Sequence, residues 1–122
     1  MFSAFAVGLA DGRSNSFSLR TDATRWMAEH AEDYMWTVVA KEGESQPAAL
    51  RRYLGRMKRT DEWGDERVLN ALCNKHKVRV AVLKDLGNGR KMWVRYGDRS
   101  PEQRRFLLYL SGQHYENLYE DK

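Results

Sequence analysis

The hydrophobic period of this chain changes once, at Lys77, and that change decides most of what it can fold into. Before Lys77, apolar residues recur at helical spacing. After it they alternate, as strands do. Residues 2–10 read as a short apolar helix, and Asp11 to Ser16 as a loop of turn formers. A second helix is expected from about Ser18 to Tyr34, with Ala23, Trp26, Met27, His30 and Tyr34 on one face. Lys41 to Pro47 is a polar turn. A third helix, about Ala48 to Arg59, carries Leu50, Tyr53, Leu54 and Met57 as its stripe. Thr60 to Gly64 is a connector. The fourth helix starts near Asp65 and Glu66 and ends near Lys75, with Leu69, Leu72 and Cys73 inward. Acids at its start and Lys75, His76 and Lys77 at its end suit the helix dipole.

Val78, Val80 and Val82 then alternate with Arg79 and Ala81, the pattern of a strand. Gly87-Asn88-Gly89 is a turn, Lys91 to Tyr96 a second strand, and Gly97 to Gln103 a loop. Phe106 to Leu110 is a third strand, broken at Gly112, and His114 to Tyr119 continues extended. Helices followed by strands, without regular alternation, give an α+β class: a small, mostly antiparallel sheet flanked by helices. No linker or repeat divides the 122 residues, so one domain over residues 1–122 is expected.

The content is 42% hydrophobic and 31% charged, the balance of a globular chain with a core, and no apolar run is long enough to cross a bilayer. Cys73 is the only cysteine, which excludes an internal disulfide and fits a reducing compartment, cytoplasmic or nuclear. Neither a Cys/His zinc pattern nor a Gly-rich phosphate loop is present, so no cofactor is expected. The net charge of +4 is modest. Arg51, Arg52, Arg56, Lys58 and Arg59 group on one helix, and Lys75, Lys77 and Arg79 form a second group. Either could meet phosphate, but interspersed acids argue for solvated faces and against nucleic acid.

Chemistry concentrates near the carboxyl end, in Gly112-Gln113-His114-Tyr115-Glu116. On a strand, residues i and i+2 share a face, so Glu116 can reach a ring nitrogen of His114. A histidine held by a carboxylate is the base and orienter that a thiol or hydroxyl nucleophile needs. Asn117 is a weaker orienter. The plain alternative is two solvated residues on a strand. His30 on an apolar helix face and His76 at a helix end read as structural. Cys73 reads as a core thiol, and Asp61, Glu62, Asp65 and Glu66 as helix-start acids.

Several segments, taken in order, resemble the OTU (ovarian tumour) family of cysteine proteases, which are mostly deubiquitinases. They are Leu19-Arg20 opening a helix with Trp26, Met27 and Tyr34; Tyr53-Leu54-x-x-Met57; Glu62-Trp63-Gly64-Asp65-Glu66 with Leu69-x-Ala71-Leu72; Val78-x-Val80; and His114-Tyr115-Glu116. Asp65 and Glu116 depart from the family's usual Gly and Asn/Asp. The resemblance implies an OTU-like fold, His114 and Glu116 as catalytic base and orienter, and ubiquitin or a ubiquitin-like protein as partner. Met1-Phe2-Ser3-Ala4 matches the residues after the family's Asp-Gly-x-x-Cys, so the nucleophile is expected ahead of Met1 and the 122 residues alone are expected to be inactive. A ubiquitin-binding pseudoenzyme, with Trp36, Trp93 and Tyr96 as contacts or as core, and a basic nucleic-acid module are the alternatives.

Overall fold

The computed structural model describes residues 1–59, 64–97, 104–112 and 114–118. Its helices are α1 (Phe2–Leu9), α2 (Ser16–Glu29), α3 (Ala31–Tyr34), α4 (Gln46–Met57) and α5 (Glu66–His76), with a 3-10 turn at Met35–Thr37. The strands β1 (Val78–Gly87), β2 (Arg90–Tyr96), β3 (Arg104–Ser111) and β4 (His114–Leu118) form one sheet in the order β2-β1-β3-β4. Two of its three pairings are antiparallel, and β1 with β3 is parallel. The α+β expectation stands, and the sheet is mixed.

Helix starts follow side-chain chemistry. Asn15 caps α2 in a reciprocal box with Ser18, which moves the start ahead of the expected Ser18. Ser45 caps α4 with a proline in its first turn. Asp65 caps α5 by accepting from the Arg67 and Val68 backbone amides. The single helix expected over Ser18 to Tyr34 is two. The His30 ring stacks on Trp26 at 3.9 Å and its Nδ1 lies 2.9 Å from the Trp26 carbonyl oxygen. That arrangement goes with a non-helical backbone at His30, from which α3 restarts.

The core lies between the sheet and a helical layer. Phe5, Leu19, Ala23, Met27, Leu69, Leu72, Val80 and Leu108 are all fully or nearly fully buried. Helix α5 packs over β1 and β2, and α1 over β3 and β4, while α2 covers both helices from behind. Val78, Val80 and Val82 face this layer, as their alternation predicts. Among the described residues, no helix packs on the opposite face of the sheet.

Candidate active site

Strand β4 leaves the turn at Gly112 (φ +60°) and pairs with β3 from Ser111 opposite His114 to Leu107 opposite Leu118. Alternation turns Tyr115 inward, where it is 7% exposed and burial pushes its phenol up to about 12. His114 and Glu116 turn outward together. His114 Nε2 lies 3.2 Å from Glu116 Oε1, and both side chains are more than 60% exposed. A polar contact this exposed adds little stability. Its geometric effect is to occupy Nε2, which leaves Nδ1 as the ring's free proton acceptor.

Strand β4 lies alongside α1, and the contacts fix its direction. Phe106, near the start of β3, packs edge-on against Phe5 and lies against Gly8. Asn117 Nδ2 donates to the Ala4 carbonyl at 2.8 Å. His114, three residues back along β4, therefore lies toward the Met1 end of α1. The Asn117 and Tyr115 face of β4 is the one that meets α1, so His114 and Glu116 project from the other side. Asn117 thus serves as a strand-to-helix tie; Glu116 is the residue beside the imidazole.

Next to this end of β4 is a cleft of about 620 Å³. Gly64, Asp65 and Glu66 form one wall, Val82, Val94, Leu110 and Tyr115 are among the residues of its sheet side, and Gly112 also lines it. Met1 also reaches Gly64: a β-carbon there would stand 2.6 Å from Met1 Cε. The cleft and the start of α1 therefore adjoin. Asp65 is fixed twice over, because the Tyr53 hydroxyl donates to both of its oxygens at 2.8 and 2.9 Å. Tyr53 is 1% exposed and its phenol is pushed far up, mainly by burial and then by the Asp65 charge. Arg67 lies over its ring, 5.0 Å from the centroid. Arg20 similarly sits 4.4 Å from the Phe2 centroid and donates to the Met57 carbonyl at 2.9 Å. Neither the Tyr53–Asp65 pair nor the Arg20 strut was marked by periodicity, since both join elements far apart in sequence.

Cys73 is 1% exposed and burial pushes its thiol up to about 12, so it is a core residue. His76 Nε2 lies 3.1 Å from Asp22 Oδ2 and ties α5 to α2. Trp36 and Trp93 correct a core reading: they are 70% and 50% exposed, because Trp36 lies on the 3-10 turn and Trp93 on the edge strand β2. Tyr96 is half-buried against the core. The Arg51 to Arg59 group is a surface face, with Arg52 committed to Glu44 at 3.0 Å. Asp61, Glu62 and Trp63 lie outside the described residues, as does Gln113. Among the described residues, no three His, Cys, Asp or Glu side chains gather where they could hold a metal, and no helix is long and apolar enough to cross a membrane.

The fold recurs among solved structures. The structure of the OTUD1 OTU domain superposes with a TM-score of 0.75 at 14% identity, over 98% of this chain and 77% of that one. A crystal structure of an OTU deubiquitinase from Wolbachia pipientis wMel gives 0.74 at 18% identity, over 98% and 80%. A structure of an OTU deubiquitinase from that organism bound to ubiquitin gives 0.70 at 16%, over 98% and 88%. No curated protein sequence matches the chain. The family model described as OTU-like cysteine protease matches residues 1–115, which run from the start of α1 through His114 and Tyr115. With the matched segment spanning nearly the whole sheet and helical layer, the chain belongs to the OTU-like cysteine protease family.

Proposed function

We propose that this chain carries the base and orienter of a thiol-dependent deubiquitinase site, with His114 as base and Glu116 as orienter. The observation that carries the reading is the 3.2 Å contact between His114 Nε2 and Glu116 Oε1 at the end of β4 nearest the start of α1. The solved relatives support ubiquitin as the substrate's acyl part, since they are deubiquitinases and one is bound to ubiquitin. Because His114 projects from the side of β4 away from α1, the residue ahead of Met1 must present its thiol past the Gly112 end of the strand; that thiol would give its proton to His114 Nδ1, and Glu116 would stabilise the imidazolium. The thiolate would attack the isopeptide carbonyl, and His114 would protonate the departing lysine amine. Water, deprotonated by the same ring, would then release the ubiquitin carboxylate and restore the thiol.

Cys73 cannot supply that thiol from within the core, and the Met1 thioether has no proton to give. On this reading the 122 residues themselves carry no thiol that His114 could activate. The test is a ubiquitin probe with a C-terminal electrophile. It should form an adduct with the chain extended by Asp-Gly-x-x-Cys ahead of Met1, and none with the 122-residue form. Loss of the adduct in the extended His114→Ala variant would support the assignment. A folded extended chain that stays unreactive, or that reacts equally without His114, would overturn it.

A further inference from the structure

Strand β2 is an edge of the sheet, and among the described residues nothing pairs with its outer side. It is seven residues long, and Met92 and Trp93 are each about half exposed. A strand like this invites another to add to it unless its side chains forbid the pairing. Here the side chains forbid one partner and select another. Lys91, Trp93 and Arg95 share the face of the sheet that no described helix covers; across β1 they sit opposite Asp85, Leu83 and Ala81. Arg90, Lys91 and Arg95 are all exposed.

Consider a second copy adding antiparallel in the register that pairs all of β2 with itself. Trp93 would meet Trp93, and Lys91 would meet Arg95 twice. Like charges directly opposite are destabilising in a ladder. A strand with acids at those two positions and an apolar residue between them reverses both terms. It would pair its carboxylates with Lys91 and Arg95 and cover Trp93. Asp85, across β1 from Lys91, stays charged and offsets part of the Lys91 charge, whereas Arg95 stands opposite Ala81 and has no acid across β1.

We infer that the outer edge of β2 is a docking site for an extended acidic segment of a partner protein, which adds as a fifth strand with acidic, apolar and acidic residues opposite Lys91, Trp93 and Arg95. This is strand addition, in which main-chain hydrogen bonds supply affinity and alternate side chains supply specificity. The site is separate from His114, which lies on the opposite edge strand.

The test is an amide NMR titration of the 122-residue chain with a capped peptide, Thr-Glu-Thr-Val-Thr-Glu-Thr. Shifts and new amide protection should be confined to residues 90–96 and their β1 partners. The same peptide with lysine for glutamate should bind about tenfold more weakly, from two cross-strand charge pairs. The Lys91→Glu/Arg95→Glu variant should prefer the lysine peptide. A glutamate peptide N-methylated along the edge that faces β2 keeps its charge but should lose binding, which distinguishes strand addition from simple attraction. Equal binding of both peptides, retention of binding after N-methylation, or no response at millimolar peptide would overturn the inference. So would self-association through β2 without peptide, or a single-stranded oligonucleotide displacing the peptide from it.

Discussion

Replacing Asp65 should cost more than the loss of a helix cap. Its carboxylate accepts from the Arg67 and Val68 amides at the start of α5 and from the Tyr53 hydroxyl. Removing a capping carboxylate costs about 1 kcal/mol. The Tyr53 residue is 1% exposed, so Asp65→Ala also strands a buried hydroxyl, at about 1–3 kcal/mol. The sum is about 2–4 kcal/mol. Tyr53→Phe removes the donor while Asp65, whose side chain is 37% exposed, keeps its amides and reaches water. That change should cost only about 1 kcal/mol. Once Tyr53 is Phe, Asp65→Ala orphans nothing and should fall back to about the capping value. The double mutant should therefore be more stable than the sum of the single changes predicts, by about 1–3 kcal/mol. Urea unfolding of the four proteins, followed by far-UV circular dichroism, gives the coupling energy. Additive effects within about 0.3 kcal/mol would refute the argument that the two groups depend on each other.

Gly97→Ala should destabilise strongly, by about 2–4 kcal/mol, because φ is +95° and the new methyl would press on the Val78 carbonyl; urea midpoints measure it. Asn117→Ala should cost about 1 kcal/mol and raise hydrogen exchange in α1 more than in α5, since it frees the Ala4 carbonyl. Cys73 should resist thiol reagents in the folded chain at pH 8 and react on unfolding. Folding raises the Cys73 thiol from 9.0 to about 12 and the Tyr115 phenol from 10.0 to about 12. Both favour the neutral form, so their contribution is complete below pH 9, declines as the unfolded chain loses these protons first, and is gone above pH 12. Urea midpoints should fall across that alkaline window.

The helix-then-strand order and the outward pairing of His114 with Glu116 were legible in the sequence because both are periodic. Val78, Val80 and Val82 mark their buried face at a spacing of two, and the same spacing puts Tyr115 inside and its neighbours outside. The break at His30 was not legible, because it goes with a side chain folding back on Trp26 over an otherwise helical pattern. Parallel pairing of β1 with β3 was equally hidden, since alternation fixes faces and not neighbours. For Trp36 and Trp93 the sequence left surface contact and core both open; their exposure depends on a surface turn and an edge strand that only topology assigns. At the site, the resemblance supplied the Gly64-Asp65-Glu66 segment, while the role of Asp65 required knowing that Tyr53, twelve residues away, points at it.

The central claim is that the imidazole of His114 can take a proton from a sulfur atom placed at the start of α1. A single cysteine introduced immediately ahead of Met1, in a Cys73→Ala background, tests this without any substrate. Its alkylation rate against pH reports the thiolate fraction. The account predicts a cysteine reacting well below the free-thiol pKa of about 8.5, shifted back toward that value by His114→Gln and partway by Glu116→Gln. A cysteine that titrates as a free thiol in all three proteins would contradict it.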